Sequence, residues 1–438
     1  MSPAIPTLFR PSWIPAMEGV YLVGGCVRDL LLGRTPRDYD LVTLHEPRPL
    51  AEEIGRAVGG RPVLLGKALF PLYRVTAREV TVDVVAAEGG GIEEDLRRRD
   101  FTINALAIEA ARPRLIDPLG GVRDLEEKRL RAASAAALER DPIRLLRAFR
   151  LAAQLGLRLE PETEQAIAAR AALLRDAAGE RVREELYALL ACEHCHAAIE
   201  SCARGGLLPG VLGGPGQPAD GGMAARWQGI ARVESLFEAP EAFLGPEGRD
   251  ALALLDRRMR MLIKLVCLVP DSGEALQAAQ RLRMSRRDAT TLAELSCRAR
   301  EAEKLLSSFP ASPLRERLSF LRRAAAVFPG AVLVGLCRLE IDAPGEIEKL
   351  RSAARRLLAD HRERVLPARA LPPLLRGDEL RRELGLAPSR LVGRILEEIA
   401  LERLLDPGLS RREAMELARA MARAALSGPE TAPGPKED

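Results

Sequence analysis

Beyond about residue 124 the sequence stops offering strands. Up to that point short β-prone runs alternate with helical ones. After it alanine, leucine, arginine and glutamate dominate, and apolar residues recur at helical spacing. A chain divided this way folds as an α+β head followed by an all-α remainder. In the first part Val20–Val23, Asp38–Thr43, Tyr73–Thr76 and Val80–Ala86 read as strands, with Val63–Leu65 a weaker fifth. Val27–Leu32 reads as a helix stopped by Gly33. Arg99–Leu106 reads as the start of a helix, and Ala107–Ile116 as partly extended.

The helical part is punctuated by glycine and proline. Asp141–Gln154 is periodic, with Pro142 suited to a first turn and Gly156 to a stop. Glu162–Leu174 and Arg181–Cys195 follow as helices, and residues 203–222 read as an irregular connector. Residues 366–373 hold three prolines and read as a hinge. These breaks divide the 438 residues into a head (1–130), a helical neck (131–202), a body (203–365), a tail (366–426) and a disordered end (427–438).

Composition narrows the functional classes. Lys and Arg total 66 against 62 Asp and Glu, so a nucleic-acid partner requires a local basic face. Aromatics make up 3%, too few for binding single strands mainly by stacking. Four histidines, at 45, 194, 196 and 361, exclude chemistry built on a histidine cluster. The seven cysteines, the lack of a leader-like start and the lack of a long apolar run imply a cytoplasmic protein with free thiols and no membrane partner.

The chemistry concentrates in Gly24-Gly25-Cys26-Val27-Arg28-Asp29 followed by Asp38-Tyr39-Asp40. Alternate residues of a strand share a face, so Asp38 and Asp40 point together. Two carboxylates held that close call for a cation between them. Mg²⁺ suits oxygen ligands and leaves positions for phosphate and water. Gly24 and Gly25 let backbone approach a phosphate, and Arg28 adds a multidentate donor. Asp83 is a third carboxylate if its strand neighbours the first pair. Surface acids beside a glycine turn remain the plainer alternative.

Two further clusters carry polar groups at helical spacing. In Arg97-Arg98-Arg99-Asp100-Phe101-Thr102-Ile103-Asn104 the arginines suit phosphates, and Asp100 and Asn104 fit one helical face. A solvated charge run capping a helix also fits. Asp141, Arg144 and Arg147 are spaced by three; a carboxylate and guanidinium on one face can read base edges or pair with each other. Glu180-Arg181-Val182-Arg183-Glu184-Glu185-Leu186 reads as a buttressing helix whose arginine steadies the one before. Cys192, Cys195 and His196 fit one helical side, without the paired spacing of a zinc site.

Together these segments resemble the bacterial tRNA nucleotidyltransferase and poly(A) polymerase family, class II of the polymerase-β-like nucleotidyltransferases, which includes the CCA-adding enzymes. The matching pieces are GGCVRDLLLGRTPRDYD at 24–40, DLRRRDFTINALA at 95–107, DPIRLLRAFRLAAQLG at 141–156 and ERVREEL at 180–186, with DPLGG at 117–121 between them. Leu374–Leu380 and Leu384-Gly385-Leu386 add a fainter match in the tail. The resemblance implies a nucleotidyltransferase head on an elongated neck, body and tail. It implies Asp38 and Asp40 as Mg²⁺ ligands; the strand context, not the resemblance, adds Asp83 as a catalytic acid beside them. Gly24, Gly25 and Arg28 would hold the triphosphate, and Arg99, Asp100 and Asn104 the incoming nucleotide. Asp141 and Arg144 would serve as the protein template for the base; the spacing by three adds Arg147 to the nucleotide-binding residues. The implied reaction is attack of a tRNA 3′-hydroxyl on the α-phosphate of CTP or ATP, with the tRNA acceptor and TΨC arms on the helical part. The helical tail could support a homodimer.

The chain departs from the family in two places. Arg140 stands where the template motif usually has Glu. The stretch from Val84 to Glu94 is shorter than in members that add the full CCA. Addition of all three nucleotides is the first expectation; addition of CC alone, or of A, is the alternative. The lack of histidine across residues 203–360 implies no HD-type phosphohydrolase. A small-molecule nucleotidyltransferase would need neither Asp141 nor Arg144, and a non-catalytic RNA binder would not need Asp38 and Asp40.

Overall fold

The computed structural model describes residues 11–65, 71–112, 114–213 and 222–426. The sequence expectation of a disordered end over 427–438 lies outside them. The chain forms two compact units. The first is Met1–Ala219 with Gln280–Arg283, and the second is Asp220–Ala279 with Met284–Asp438. Head and neck therefore share one unit, and body and tail the other.

The first unit is built on a seven-stranded mixed sheet. Its strands are β1 (Val20–Val23), β2 (Asp38–Thr43), β3 (Arg61–Leu65), β4 (Leu72–Thr76), β5 (Thr81–Ala86), β6 (Ala107–Glu109) and β7 (Leu115–Ile116), in the order β3-β4-β5-β2-β1-β6-β7. The β2 and β5 strands run parallel and every other neighbouring pair is antiparallel. Alternation along the strands sorts the side chains. Leu22, Leu41, Val75, Val82, Val84 and Ile108 face the helices α1 (Gly25–Leu31) and α2 (Pro47–Val58), where Cys26, Val27, Leu50 and Ile54 complete the core. Tyr21, Val23, Val42 and Ala107 face the other way, against Ile92 and Leu96 of α3 (Ile92–Arg97). Asp38 and Asp40 have the parity of Val42 and lie on this second face.

The helix expected from Arg99 to Leu106 shrinks to a single 3₁₀ turn, Thr102–Asn104. Phe101 is extended (φ −129°, ψ 152°), and the Asp100 carboxylate takes its N–H. A side chain has claimed the backbone donor that a helix would use. The turn is fixed from behind by α4 (Gly121–Glu126): a Cβ on Gly121 would lie 2.1 Å from the Thr102 carbonyl oxygen.

The neck comprises α5 (Ala135–Arg140), α6 (Ile143–Leu155), α7 (Pro161–Ala168), α8 (Gly179–Leu190), α9 (His196–Arg204) and α10 (Leu208–Leu212). Two short strands, β8 (Arg129–Leu130) and β9 (Arg158–Leu159), pair in parallel beside α6. Fully buried Leu145, Leu146 and Phe149 seat α6 in the core. The helix expected to run to Cys195 ends at Leu190. Cys192 falls in the turn after it and Cys195 precedes α9, so they share no helical side with His196. The connector expected over 203–222 contains α10; residues 214–221 lie outside the described set. Arg281 donates to the carbonyls of Leu174, Ala177 and Gly210, which brings residues 280–283 into this unit.

All the regular elements described in the second unit are helical. Their interior includes ion pairs as well as apolar contacts. Glu340 is buried between Arg232 and Arg351, which both lie over the Phe243 ring, and Lys264 meets Glu234 at 2.7 Å. Leu380, Ile395, Ala414 and Ala418 form a separate core among the last three helices. No helix among the described residues is long and apolar enough to cross a membrane.

Candidate active site

The β-register assembles a polar row across the sheet. Arg74 on β4 stands opposite Asp83 on β5, and Asp83 opposite Asp40 on β2. Asp38 is two residues along β2 on the same face, and both β2 acids are exposed. Tyr39 between them points the other way and packs edge-on against Trp13, ring centroids 5.0 Å apart. Asp83 therefore has the strand adjacency a third carboxylate requires. Its two oxygens, however, accept from Arg74 Nε and Nη2, both at 2.7 Å. Partial desolvation of the carboxylate, reinforced by the charges of Asp83 and Asp38, raises the Asp40 pKa above its ordinary value; Arg99 and Arg74 oppose the shift.

Gly24 closes one side of this row. It sits at φ 78°, ψ −138°, where a side chain is strained. A Cβ there would lie 2.9 Å from Arg99 Nη1 and 3.4 Å from Asp40 Oδ2. The glycine thus lets an acid of β2 and an arginine of the following segment converge on the start of α1. Gly24→Ala is expected to lower nucleotide addition about a hundredfold through displacement of these groups. The fold would lose only about 1–3 kcal/mol; primer-extension rates and a urea melt on the same preparation check both parts.

Arg28 is buried behind Gly25 and held on two sides. Its Nε and Nη2 donate to Asp29 Oδ1 (2.9 and 2.8 Å), and its Nη1 donates to Asn104 Oδ1 (2.7 Å). These bonds use three of the five guanidinium N–H groups and leave one on each Nη nitrogen. Asn104 in turn donates to Asp100 Oδ1 (3.1 Å), and Arg147 Nη1 donates to Asp100 Oδ2 (3.1 Å). Glu185 on α8 accepts from Arg147 (2.8 Å) and Arg150 (2.5 Å). One hydrogen-bonded chain thus joins the glycine turn to the neck. Burial works against the Asp100 charge, but Arg147, the Asn104 amide and the Phe101 N–H overcome it and hold its pKa below the usual carboxylate range. Arg99 is tied to Asp95 at 3.2 Å, while Arg97 and Arg98 pair with Glu93 and Glu94 one turn earlier.

The neck residues are arranged differently from the sequence expectation. Asp141 lies outside α6, at φ −143°, ψ 96°, so Asp141, Arg144 and Arg147 do not share a helical face. The cause is Pro142, whose ring disfavours helical backbone in the residue before it. Asp141 accepts two bonds from Arg181 of α8 (2.9 and 2.7 Å), so the expected steadying arginine grips a residue two positions ahead of α6. Arg144 Nη1 donates to the carbonyls of Arg98 (3.1 Å) and Ala137 (3.0 Å), and its buried Nε lacks a hydrogen-bond partner among the described residues. Burial lowers the Arg144 pKa, with Asp100 and Asp141 opposing. Sequence reasoning did not single out Arg74, Asp95 and Glu185 individually for the site. Arg74 and Glu185 enter only through the meeting of separate strands or helices, whereas Asp95 stands four residues before Arg99, a helical spacing that could have found it.

Asp38 and Asp40 are the residues that could hold a divalent cation. Their donor chemistry, two carboxylates on one face of a strand, fits Mg²⁺. No group of three or more His, Cys, Asp or Glu side chains arranged to hold a metal occurs among the described residues, the Cys192–Cys202 region included.

Residues 20–131 match the model for the poly A polymerase head domain, and residues 156–219 that for the probable RNA and SrmB-binding site of polymerase A. The chain is 34% identical to the CC-adding tRNA nucleotidyltransferase of Geobacter sulfurreducens, across 94% of this chain and 93% of that one. The chain belongs to the bacterial class II tRNA nucleotidyltransferase and poly(A) polymerase family. It is an enzyme of the nucleotidyltransferase class. Another relative, the A-adding tRNA nucleotidyltransferase of Deinococcus radiodurans, is 35% identical across 90% of this chain and 94% of that one. Among solved structures, a CCA-adding enzyme in complex with CTP shares the fold with a TM-score of 0.66, at 24% identity over 93% of this chain and 91% of that one. A Thermotoga maritima CCA-adding enzyme complexed with tRNA does so with a TM-score of 0.62, at 23% identity over 92% and 91%.

Proposed function

We propose that this nucleotidyltransferase builds or repairs the 3′-terminal CCA of tRNA from CTP and ATP without a nucleic-acid template. The observation that carries the reading is the convergence of Asp40 and Arg99 on the Gly24 turn. It provides an acid for a cation, a close approach for phosphate and a positive group within one small volume. Asp38 and Asp40 would hold Mg²⁺, which, when bound, supplies charge neutralisation at the reacting phosphate. Arg28, pre-oriented by Asp29 and Asn104, offers its two remaining N–H groups to the triphosphate, and pyrophosphate leaves from that end. Asp100 and Asn104 position the ribose. Asp141 and Arg144 read the base edge, one as acceptor and the other as donor. The helical part receives the acceptor and TΨC arms by backbone and shape, and a cytoplasmic setting fits this reading.

A second reading, addition of CC alone, is favoured by a specific feature. The β5 strand ends at Ala86 and α3 starts at Ile92, so only residues 87–91 connect them. Glu88 ties this connection down: its N–H donates to Asp95 and its carboxylate accepts from Arg140 (3.3 Å). The Geobacter sulfurreducens relative also bears the name of a CC-adding enzyme. Incubation of the purified protein with tRNA lacking its 3′ end, Mg²⁺, and CTP with or without ATP separates the readings. The full reaction predicts two added nucleotides with CTP and three with both. A product stopping at two with both supports CC addition. A single added A or a long A tail supports the alternatives within the family, and no extension with any mixture contradicts the proposal.

A further inference from the structure

The acid row contains its own cation. We infer that Arg74 is a resident counter-ion for Asp83, Asp40 and Asp38, and that it tunes how tightly this row holds a divalent metal. The inference rests on the reading of Asp38 and Asp40 as metal ligands, but Arg74 itself belongs to no motif used for that reading.

The strand register and the ion-pair geometry support it. Arg74, Asp83 and Asp40 occupy directly opposed register positions on three adjacent strands, so their side chains emerge in line on one face. Neighbouring strands lie about 4.8 Å apart, which places Asp83 and Asp40 within strong mutual repulsion. Arg74 meets Asp83 through a two-pronged ion pair, both bonds at 2.7 Å, and its charge is further favoured by Asp38 and Asp40. Arg99 is the larger opposing charge on Asp40, but the carboxylate it is bonded to is Asp95, outside the row, whereas Arg74 is bonded to the row's own Asp83. Arg74 is therefore the cation bonded directly into the row. Its side chain is 47% exposed while that of Asp83 is 18% exposed, so the guanidinium can swing outward without opening the sheet.

In this arrangement the row keeps three carboxylates on one face of the sheet before metal arrives. The arginine lowers the negative potential that a divalent ion would meet. When the ion neutralises the row, the hold on Arg74 weakens and its outer N–H groups become available to phosphate. The role is one of positioning and charge balance. It adds no bond-making step.

Titration with Mn²⁺ at low ionic strength, followed by electron paramagnetic resonance of the free ion, tests this without an activity assay. Arg74→Gln is expected to bind Mn²⁺ about tenfold more tightly than the unaltered protein, equivalent to about 1.4 kcal/mol. Arg74→Lys, which keeps the charge, is expected to stay within about twofold. Asp83→Asn is expected to move in the opposite direction, because it removes an acid and releases Arg74 toward Asp40. This variant keeps the test decisive if Arg74→Gln does not fold. Equal or weaker binding by Arg74→Gln, or unchanged binding by Asp83→Asn, overturns the counter-ion role. If the unaltered protein binds Mn²⁺ and Asp40→Asn does not, the ligand assignment survives that failure. If the unaltered protein shows no Mn²⁺ binding at all, both fall.

Discussion

Asp40→Asn is expected to lower nucleotide addition about a thousandfold or more while leaving the folded protein equally or more stable at neutral pH. The two effects have one cause. Asp40 lies where desolvation and the charges of Asp83 and Asp38 raise its pKa, so the fold prefers its protonated form. An acid with a raised folded pKa supports stability most fully below its unfolded value, and that support is lost as pH rises through the folded one. Above the carboxylate range the ionised side chain therefore burdens the fold. Asparagine removes the burden along with the cation-binding charge. The stability gain is expected near neutral pH and should vanish below about pH 4, where aspartate itself is neutral. Thermal melts at both pH values, beside a primer-extension assay, check the prediction. A variant that retains its rate contradicts the ligand role, and a large loss of stability contradicts the electrostatic account.

Asp100→Ala is expected to fail in the opposite way, by loosening the structure. Asp100 is buried and accepts from the Phe101 N–H, the Asn104 amide and Arg147. Alanine leaves these donors without that acceptor. Because Arg147 keeps Glu185, the expected cost is near the low end for breaking a buried pair, about 3 kcal/mol. Nucleotide affinity should fall as well, because Asn104 is the side chain that holds Arg28 on the side away from Asp29. The sign of the pH dependence follows from the lowered Asp100 pKa. Its stabilisation is present above the ordinary carboxylate value and is lost as pH falls through the folded one. The unaltered protein should thus lose more stability on acidification than the variant does. Urea unfolding over an acidic pH series, with CTP binding by calorimetry, measures both effects.

The parts of this structure readable from the sequence are those governed by local rules. Asp38 and Asp40 lie on one face because strand alternation requires it, and Tyr39 is buried for the same reason. The change from mixed to helical structure was readable because it extends over hundreds of residues. Structure departs from the periodic pattern where one residue overrides it. The spacing predicts a helix from Asp141 with Pro142 in its first turn; Pro142 instead caps a helix that starts at Ile143, and its ring turns Asp141 out of helical backbone. Asp100 turned an apparent helix into a 3₁₀ turn by taking the Phe101 N–H. Contacts such as Arg181 with Asp141, Glu185 with Arg147 and Arg74 with Asp83 depend on how separate elements meet. No local spacing encodes them.

A crystal structure of the protein with CTP and Mg²⁺ is the most direct test of the proposed site. The triphosphate is expected at the Gly24-Gly25 turn within hydrogen-bonding distance of Arg28, the cation on Asp38 and Asp40, and the cytosine edge against Asp141 and Arg144. A nucleotide bound away from the glycine turn, or a cation that touches neither acid of β2, would contradict it.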